Sequence, residues 1–411
     1  MRLKILLLIA AGGVLLSSCT SGPKSQQELV ALADKLHEEM VTIDTHTDTP
    51  LDFLREGFDF GGENNTARGS RVDLAKMEKG GLDAAFFAVF IGQDDCTPEK
   101  YAEVHQRALD IFTAVQKEVA RFPNRAAIAV NPTDALRLKK EGKRAIYIGV
   151  ENGYPIGTNL ALLEEYYNLG ARYVTLSHTR NNQICDSSTD PDGPIHNGVS
   201  DFGKEVIAEM NRLGMLIDVS HISDKAFFDA VELSKTPVFA SHSCARAICD
   251  NPRNLTDEML LKIAETGGVV QMCILSDYVK TPEPNPARDS ARAELQKKYG
   301  GFKNLSDSVR MIAYSEWHEI NEKFPSKLAT VSDVVDHIDH IVKVAGIDHV
   351  GIGTDLDGGG GVDGCRDASE MKNITIELLR RGYSEEDIKK IWGENFMRVF
   401  RKAQEFASQK G

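Results

Sequence analysis

Short apolar runs in this chain repeatedly end on a histidine or a carboxylic acid. VTIDTHTD carries His46 and Asp48, AIYIGVEN carries Glu151, and RYVTLSH ends on His178. MLIDVSH ends on His221, PVFASH on His242, and HVGIGTDLD carries Asp355. Runs this rich in β-branched and aliphatic residues are expected as strands buried on both faces. Eight are read, near residues 41–46, 82–91, 144–150, 171–177, 214–220, 236–241, 267–274 and 348–354. Amphipathic stretches lie between them, among them 98–122, 159–169, 199–213, 224–233, 256–265 and 331–344. Ser223-Asp224, Thr256-Asp257 and Ser332-Asp333 supply helix starts, and Gly170, Gly214, Gly267 and Gly346 follow helix ends. Strand–helix alternation implies a parallel sheet, and eight repeats imply closure into an α/β fold of the TIM-like (β/α)8 type. Such a barrel gathers residues from the C-terminal strand ends at one mouth. The alternative, an open doubly wound sheet, needs a glycine-rich phosphate loop after an early strand, and the sequence has none.

The converging residues are of metal-ligating types. His46 and Asp48 stand two apart, so an extended chain sends both side chains to one side. Imidazole and carboxylate suit zinc, and also manganese or cobalt. Glu151 can bridge two cations through its two oxygens, with His221 and His242 on the second. Two ions about 3.5–4 Å apart can activate a water and polarise a carbonyl. Asp355 then fits the group that takes the water's proton and passes it to a leaving amine, and nearby cations would keep it ionised. His178 fits a hydrogen-bond donor to the substrate carbonyl oxygen. Arg253, in CDNPRN, can meet a substrate carboxylate with its planar fork. His337 and His340, spaced three apart beside Asp336 and Asp339, read as a solvated helix face. Neither G-x-S-x-G nor H-E-x-x-H occurs, so serine-hydrolase and thermolysin-type chemistry lack support.

The chain's ends and charge bound its setting. Arg2 and Lys4 precede an apolar run, residues 5–16, too short to span a bilayer. Leu16-Ser17-Ser18-Cys19 then resembles a bacterial lipobox, with Cys19 as the lipidated residue. Residues 1–18 are thus expected as a signal peptide and 19–35 as a polar tether. Residues 36–411 form one catalytic barrel with an insertion around 279–327. The expected location is therefore a bacterial cell envelope, on the periplasmic or surface side, touching membrane only through its anchor. A net charge of −13 without a basic stripe disfavours nucleic acid as a partner. Beyond Cys19 six cysteines remain, and some are expected to pair in an oxidising compartment. A thiolate ligand from Cys244 or Cys249, close to His242, ranks below buried thiols or disulfides.

Together IDTHTDTP, IGVENG, RYVTLSH, IDVSH, FASHSCARAICDNPRN, HIDHIVKVAGIDHVGIGTDLDG and WGENFMRVF resemble the membrane dipeptidase, or renal dipeptidase, family. The resemblance extends over roughly residues 36–402. It implies a two-zinc barrel, one Zn2+ held by His46, Asp48 and Glu151 and the other by Glu151, His221 and His242. It implies catalytic roles for Asp355 and Glu151, His178 at the scissile carbonyl and Arg253 at the substrate's C-terminal carboxylate. Tyr278 matches a tyrosine near the substrate. The implied substrate is a dipeptide with a free C-terminus, with a D-residue tolerated there. A homodimer is left open. Many members carry Gly-Gly-His where this chain has Asn152-Gly153-Tyr154, which is expected to alter the pocket wall. The 279–327 segment is longer than in animal members, whose disulfide positions are only partly matched. Two readings compete. Another two-metal amidohydrolase, acting on a lactone, ester or cyclic amide, usually carries H-x-H after its first strand. A substrate-binding lipoprotein would be an open two-lobed protein with no set of metal ligands.

Overall fold

The computed structural model describes residues 24–409 apart from 56, 67–69, 303, 304 and 306. Cys19 and the expected signal segment lie outside the described residues. Among the described residues nine parallel strands are present: β1 (Ile43–Thr47), β2 (Ala84–Phe90), β3 (Ala126–Ile128), β4 (Arg144–Glu151), β5 (Ala171–Thr175), β6 (Leu216–Asp218), β7 (Phe239–Ser243), β8 (Val269–Met272) and β9 (Val350–Ile352). Eight of them run in the order β1-β2-β4-β5-β6-β7-β8-β9, the eight read in the sequence. β3 was not read. It pairs Ala126 to Ile128 with Arg144 to Ile146 at the lower half of β4, below the level at which β5 takes over at Ile148.

The ends of the sheet meet. Thr47 bridges Leu356, the N–H of Asp355 donates to the carbonyl of His46 at 3.0 Å, and that of Asp48 to Leu356 at 2.9 Å. The result is a nearly closed barrel. Its lower interior is filled by Ile43, Ala84, Phe86, Ala145, Tyr147, Tyr173, Leu216, Phe239 and Val269, and Phe396 and Phe400 of the helix Asn395–Ser408 pack against them. Phe86 stacks on Tyr147 with ring centroids 4.7 Å apart. This is a packed core rather than a pore, and barrels so filled carry their sites at the strands' C-terminal mouth. A second, larger apolar layer joins the outer faces of the strands to the surrounding helices.

Two local expectations are corrected. The helix Gln26–Glu39 occupies much of the segment expected as a tether. Its capping box joins Ser25 and Glu28, and Leu29, Ala33 and Leu36 are buried, so this helix belongs to the folded domain. His337 is fully buried rather than solvated. Its Nδ1 accepts from the N–H of Ala245 at 3.0 Å and its Nε2 donates to the carbonyl of Val279 at 2.7 Å, pinning the helix Val331–Ala345 to two loops.

The long insertion contains the helices Pro286–Lys298 and Asp307–Lys323. They are joined by Lys298 with Glu316 and by the Arg292 guanidinium, 4.5 Å from the Trp317 ring centroid. None of the six described cysteines forms a disulfide. No described helix is long and apolar enough to cross a membrane.

Candidate metal centre

Strict alternation would not have turned His46 and His242 into the barrel. Ile43 and Phe239 belong to the interior layer, so their odd-numbered neighbours should face in and His46 and His242 out. The pairing shifts between Asp44 and Thr47 on β1, and between Ala240 and Ser243 on β7. Such irregularities re-aim side chains at barrel rims. Here they swing both imidazoles to the mouth, where the ring centroids of His46 and His242 lie 3.9 Å apart. Glu151 arrives as the last residue of β4. His221 and Asp355 follow β6 and β9 in left-handed backbone, with φ of 71° and 61°. Asp48 and Asp355 approach closely because residue 358 is glycine. A Cβ there would lie 1.9 Å from Asp48 Oδ2 and 2.3 Å from Asp355 Oδ1.

Glu151 is the hub. Its Oε2 lies 3.4 Å from His46 Nε2. Its Oε1 lies 3.1 Å from His221 Nε2 and 3.6 Å from both His242 Nε2 and His178 Nε2. His46 Nε2 is also 3.9 Å from Asp48 Oδ2 and 3.9 Å from Asp355 Oδ1. Three overlapping sets bring ligand atoms within 4.8 Å of one another: His46, Asp48 and Glu151; Glu151, His178 and His221; His46, His242 and Asp355. Asp355 and His178 therefore also stand within ligand range. No cysteine joins these sets, and Cys244 instead donates to the carbonyl of Cys273 at 3.3 Å.

Electrostatics show a cluster short of positive charge. Burial, then Glu151, raises the Asp48 carboxyl well above its usual value, and burial raises that of Asp355. Burial would raise Glu151 too, but the His46 and His178 rings outweigh it and hold that carboxyl well below its usual value. Burial disfavours a charge on His46, yet Glu151, Asp48 and Asp355 push it up to about 10. The carboxylates thus draw a proton onto His46, which a cation would displace. Burial keeps His221 and His242 neutral, the form that binds metal.

The residues fit cations on independent grounds. His46 Nε2 and Asp48 Oδ1 are buried with no hydrogen-bond partner. His221 Nε2 and His242 Nε2 face each other at 2.7 Å, a contact that a shared proton or a nearby cation makes favourable. Nitrogen and oxygen donors in this mixture suit zinc and its neighbours.

Around the cluster stand groups that could hold a substrate. Arg253 is 3% exposed, and its Nη2 donates to the carbonyl of His242 at 3.3 Å. Its Nε has no partner, and its guanidinium lies 5.3 Å from the ring centroid of Tyr278. The His178 side chain is 18% exposed, more open than that of His221, and packs edge-on to Phe90 at 4.8 Å. Burial brings His178 down to about 4. Phe90, at the end of β2, was not singled out in the sequence. Nor were Tyr173, whose hydroxyl lies 2.8 Å from His46 Nδ1, and Ser241 and Asp218 behind His242. An aspartate inside an apolar run, as in MLIDVSH, was the available signal. Tyr154 does not stand at the metal ligands. It is buried against Tyr101 and donates to the carbonyl of Asp95 at 2.7 Å. Asn152 links the wall loops through the carbonyl of Ile91 and the side chains of Gln93 and Asn182.

A family model for the membrane dipeptidases, peptidase family M19, matches residues 30–411. The chain belongs to this family. It is accordingly a metallopeptidase, a hydrolase of dipeptides. The dipeptidase tcpJ of Claviceps purpurea is 32% identical over 83% of this chain and 71% of its own length. The probable dipeptidase PvdM of Pseudomonas aeruginosa is 33% identical, with a TM-score of 0.81 over 93% of this chain and all of that one. A metallo peptidase of Rhodobacter sphaeroides, solved with a phosphinate mimic of the dipeptide L-Ala-D-Ala, shares the fold. Its TM-score is 0.71 at 22% identity, over 89% of this chain and 99% of that one. The nearly closed single barrel of this M19 dipeptidase also sets aside the two-lobed binding protein.

Proposed function

We propose that this dipeptidase is a binuclear zinc enzyme acting on dipeptides with a free C-terminus, those ending in a D-residue included. The observation that carries this reading is the division of labour at Glu151. One carboxylate oxygen faces His46, and the other faces His221 and His242. A carboxylate so placed would hold two ions, one together with His46 and Asp48 and one together with His221 and His242. Bound ions supply activation of a water near neutral pH and polarisation of a carbonyl.

The chain's own residues do the rest. The Arg253 fork pairs with the substrate's C-terminal carboxylate, with Tyr278 against its face. His178, neutral at physiological pH, donates from Nε2 to the scissile carbonyl oxygen as charge develops there. Asp355 accepts the water's proton and delivers it to the leaving amine, so that one peptide and one water give two amino acids. The mimic bound to the Rhodobacter sphaeroides protein supports the D-residue at the C-terminal position. Lipid anchoring through Cys19 in a bacterial envelope completes the proposal, from the LSSC tetrad.

Metal analysis of the full chain, run beside hydrolysis of L-Ala-L-Ala, L-Ala-D-Ala and the C-terminal amide of each, tests the reading. About two zinc ions per chain and cleavage of both free dipeptides are expected. A single ion per chain, or amides cleaved as fast as free dipeptides, would overturn it.

A further inference from the structure

His242 presents Nε2 to the cluster, and its other ring nitrogen faces the barrel's polar interior. Nδ1 lies 2.8 Å from the hydroxyl oxygen of Ser241. That hydroxyl in turn donates to Asp218 Oδ2 at 2.6 Å. Asp218 is buried and surrounded by donors. Its Oδ1 accepts from the N–H of Ser220 at 3.0 Å and of Ser241 at 2.8 Å, and its Oδ2 also accepts from the Thr175 hydroxyl.

A hydroxyl has one proton, and an ionised carboxylate can only accept. Ser241 gives its proton to Asp218, so its oxygen can only accept from His242. The proton of the neutral imidazole must then sit on Nδ1, leaving a lone pair on Nε2. That is the tautomer a metal ligand at Nε2 requires. The neighbouring ring has no such partner behind it, since His221 Nδ1 is buried without a hydrogen bond.

The geometry points to Asp218 and Ser241 as positioning residues that preset His242 for metal binding. The inference rests on the reading of His242 as a ligand. Neither residue touches the substrate or the reacting atoms. Asp218 acts through Ser241, and Ser241 through the ring.

Two substitutions separate this from packing. Ser241→Ala removes the acceptor for Nδ1–H. Asp218→Asn keeps size and shape, but its amide can donate to the Ser241 oxygen. The Ser241 hydroxyl is then free to donate to Nδ1, which drives the ring to the Nε2–H tautomer. Zinc affinity of the full chain, read by competition with a chromogenic chelator and without dipeptide, should fall about 10- to 100-fold in both variants. Ser241→Thr, which keeps the hydroxyl, should bind zinc near wild type. Nitrogen-15 spectra of the labelled imidazoles before zinc addition should show the proton on Nδ1 of His242 in the wild type and on Nε2 in Asp218→Asn.

Wild-type zinc affinity in Asp218→Asn with the proton still on Nδ1 would overturn the inference. So would a loss in Ser241→Ala that Ser241→Thr reproduces in full. A wild type that takes up zinc yet cleaves no dipeptide would sink the proposed activity and leave this inference standing. One that takes up no zinc would sink both.

Discussion

Asp355 and His46 are joined twice, by the main-chain hydrogen bond of 3.0 Å that helps close the barrel and by side chains whose Oδ1 and Nε2 lie 3.9 Å apart. The seam of the barrel is therefore part of its site. On the proposed mechanism Asp355 moves protons. Asp355→Asn should retain zinc while kcat falls by about 10² to 10⁴. Turnover and metal content measured on the same preparation decide it, and a normal kcat at full occupancy excludes the role.

Glu151→Gln removes the charge that two ions would share. Both sites should weaken together, and zinc content at limiting metal should drop toward zero rather than to one ion. Near-normal occupancy of both sites would show that Glu151 is not the bridge.

Arg253→Ala should cost on the order of 2–5 kcal/mol in kcat/KM for free dipeptides, the scale of a buried charge-assisted contact. C-terminal amides, which lack the carboxylate, should lose far less. Equal losses for dipeptides and amides would free Arg253 from carboxylate recognition.

His37 offers a pH test away from the metal ligands. It is 3% exposed, with Nδ1 3.1 Å from the carbonyl of Gly81 and Nε2 2.7 Å from the Thr375 hydroxyl. Burial lowers it from 6.5 to about 4. Between those values the unfolded chain binds a proton that the folded chain refuses, so stability falls as pH drops from about 6.5 to about 4. Fully developed, this difference is on the order of 3 kcal/mol. Melting temperatures across that window should fall less steeply in His37→Gln than in the wild type. Parallel slopes would remove His37 as a source of acid sensitivity.

Cys19→Ala should release the protein from the membrane fraction with activity unchanged, since every residue assigned to the site lies at or beyond His46 in the chain. Unchanged fractionation would refute lipidation at Cys19.

The barrel was legible because its eight strands are apolar on both faces, a pattern that survives without knowledge of pairing. β3 escaped because it has three residues and only a part of one neighbour to pair with. The N-terminal helix escaped because Leu29, Ala33 and Leu36 are thinly spread among polar residues in QQELVALADKLHEE. His337 was misread because its Asp neighbours suggested solvent, whereas its two ring nitrogens are used by backbone groups distant in sequence. The ligand types and their order could be read from strand ends. Their facing could not, since His46 and His242 depend on pairing shifts that no alternation pattern encodes.

The left-handed backbone at His221 and Asp355 bears on how such an enzyme can be hardened against heat. Each conformation costs a non-glycine residue about 1–2 kcal/mol that glycine would be spared. Glycine carries neither an imidazole nor a carboxylate, so the most direct stabilising substitutions at the mouth are those that would disarm it. Selection for a hotter habitat, or an engineer's library, would have to accumulate its gains elsewhere. The helices and loops far from β6 and β9 are the part of this molecule still free to become more stable.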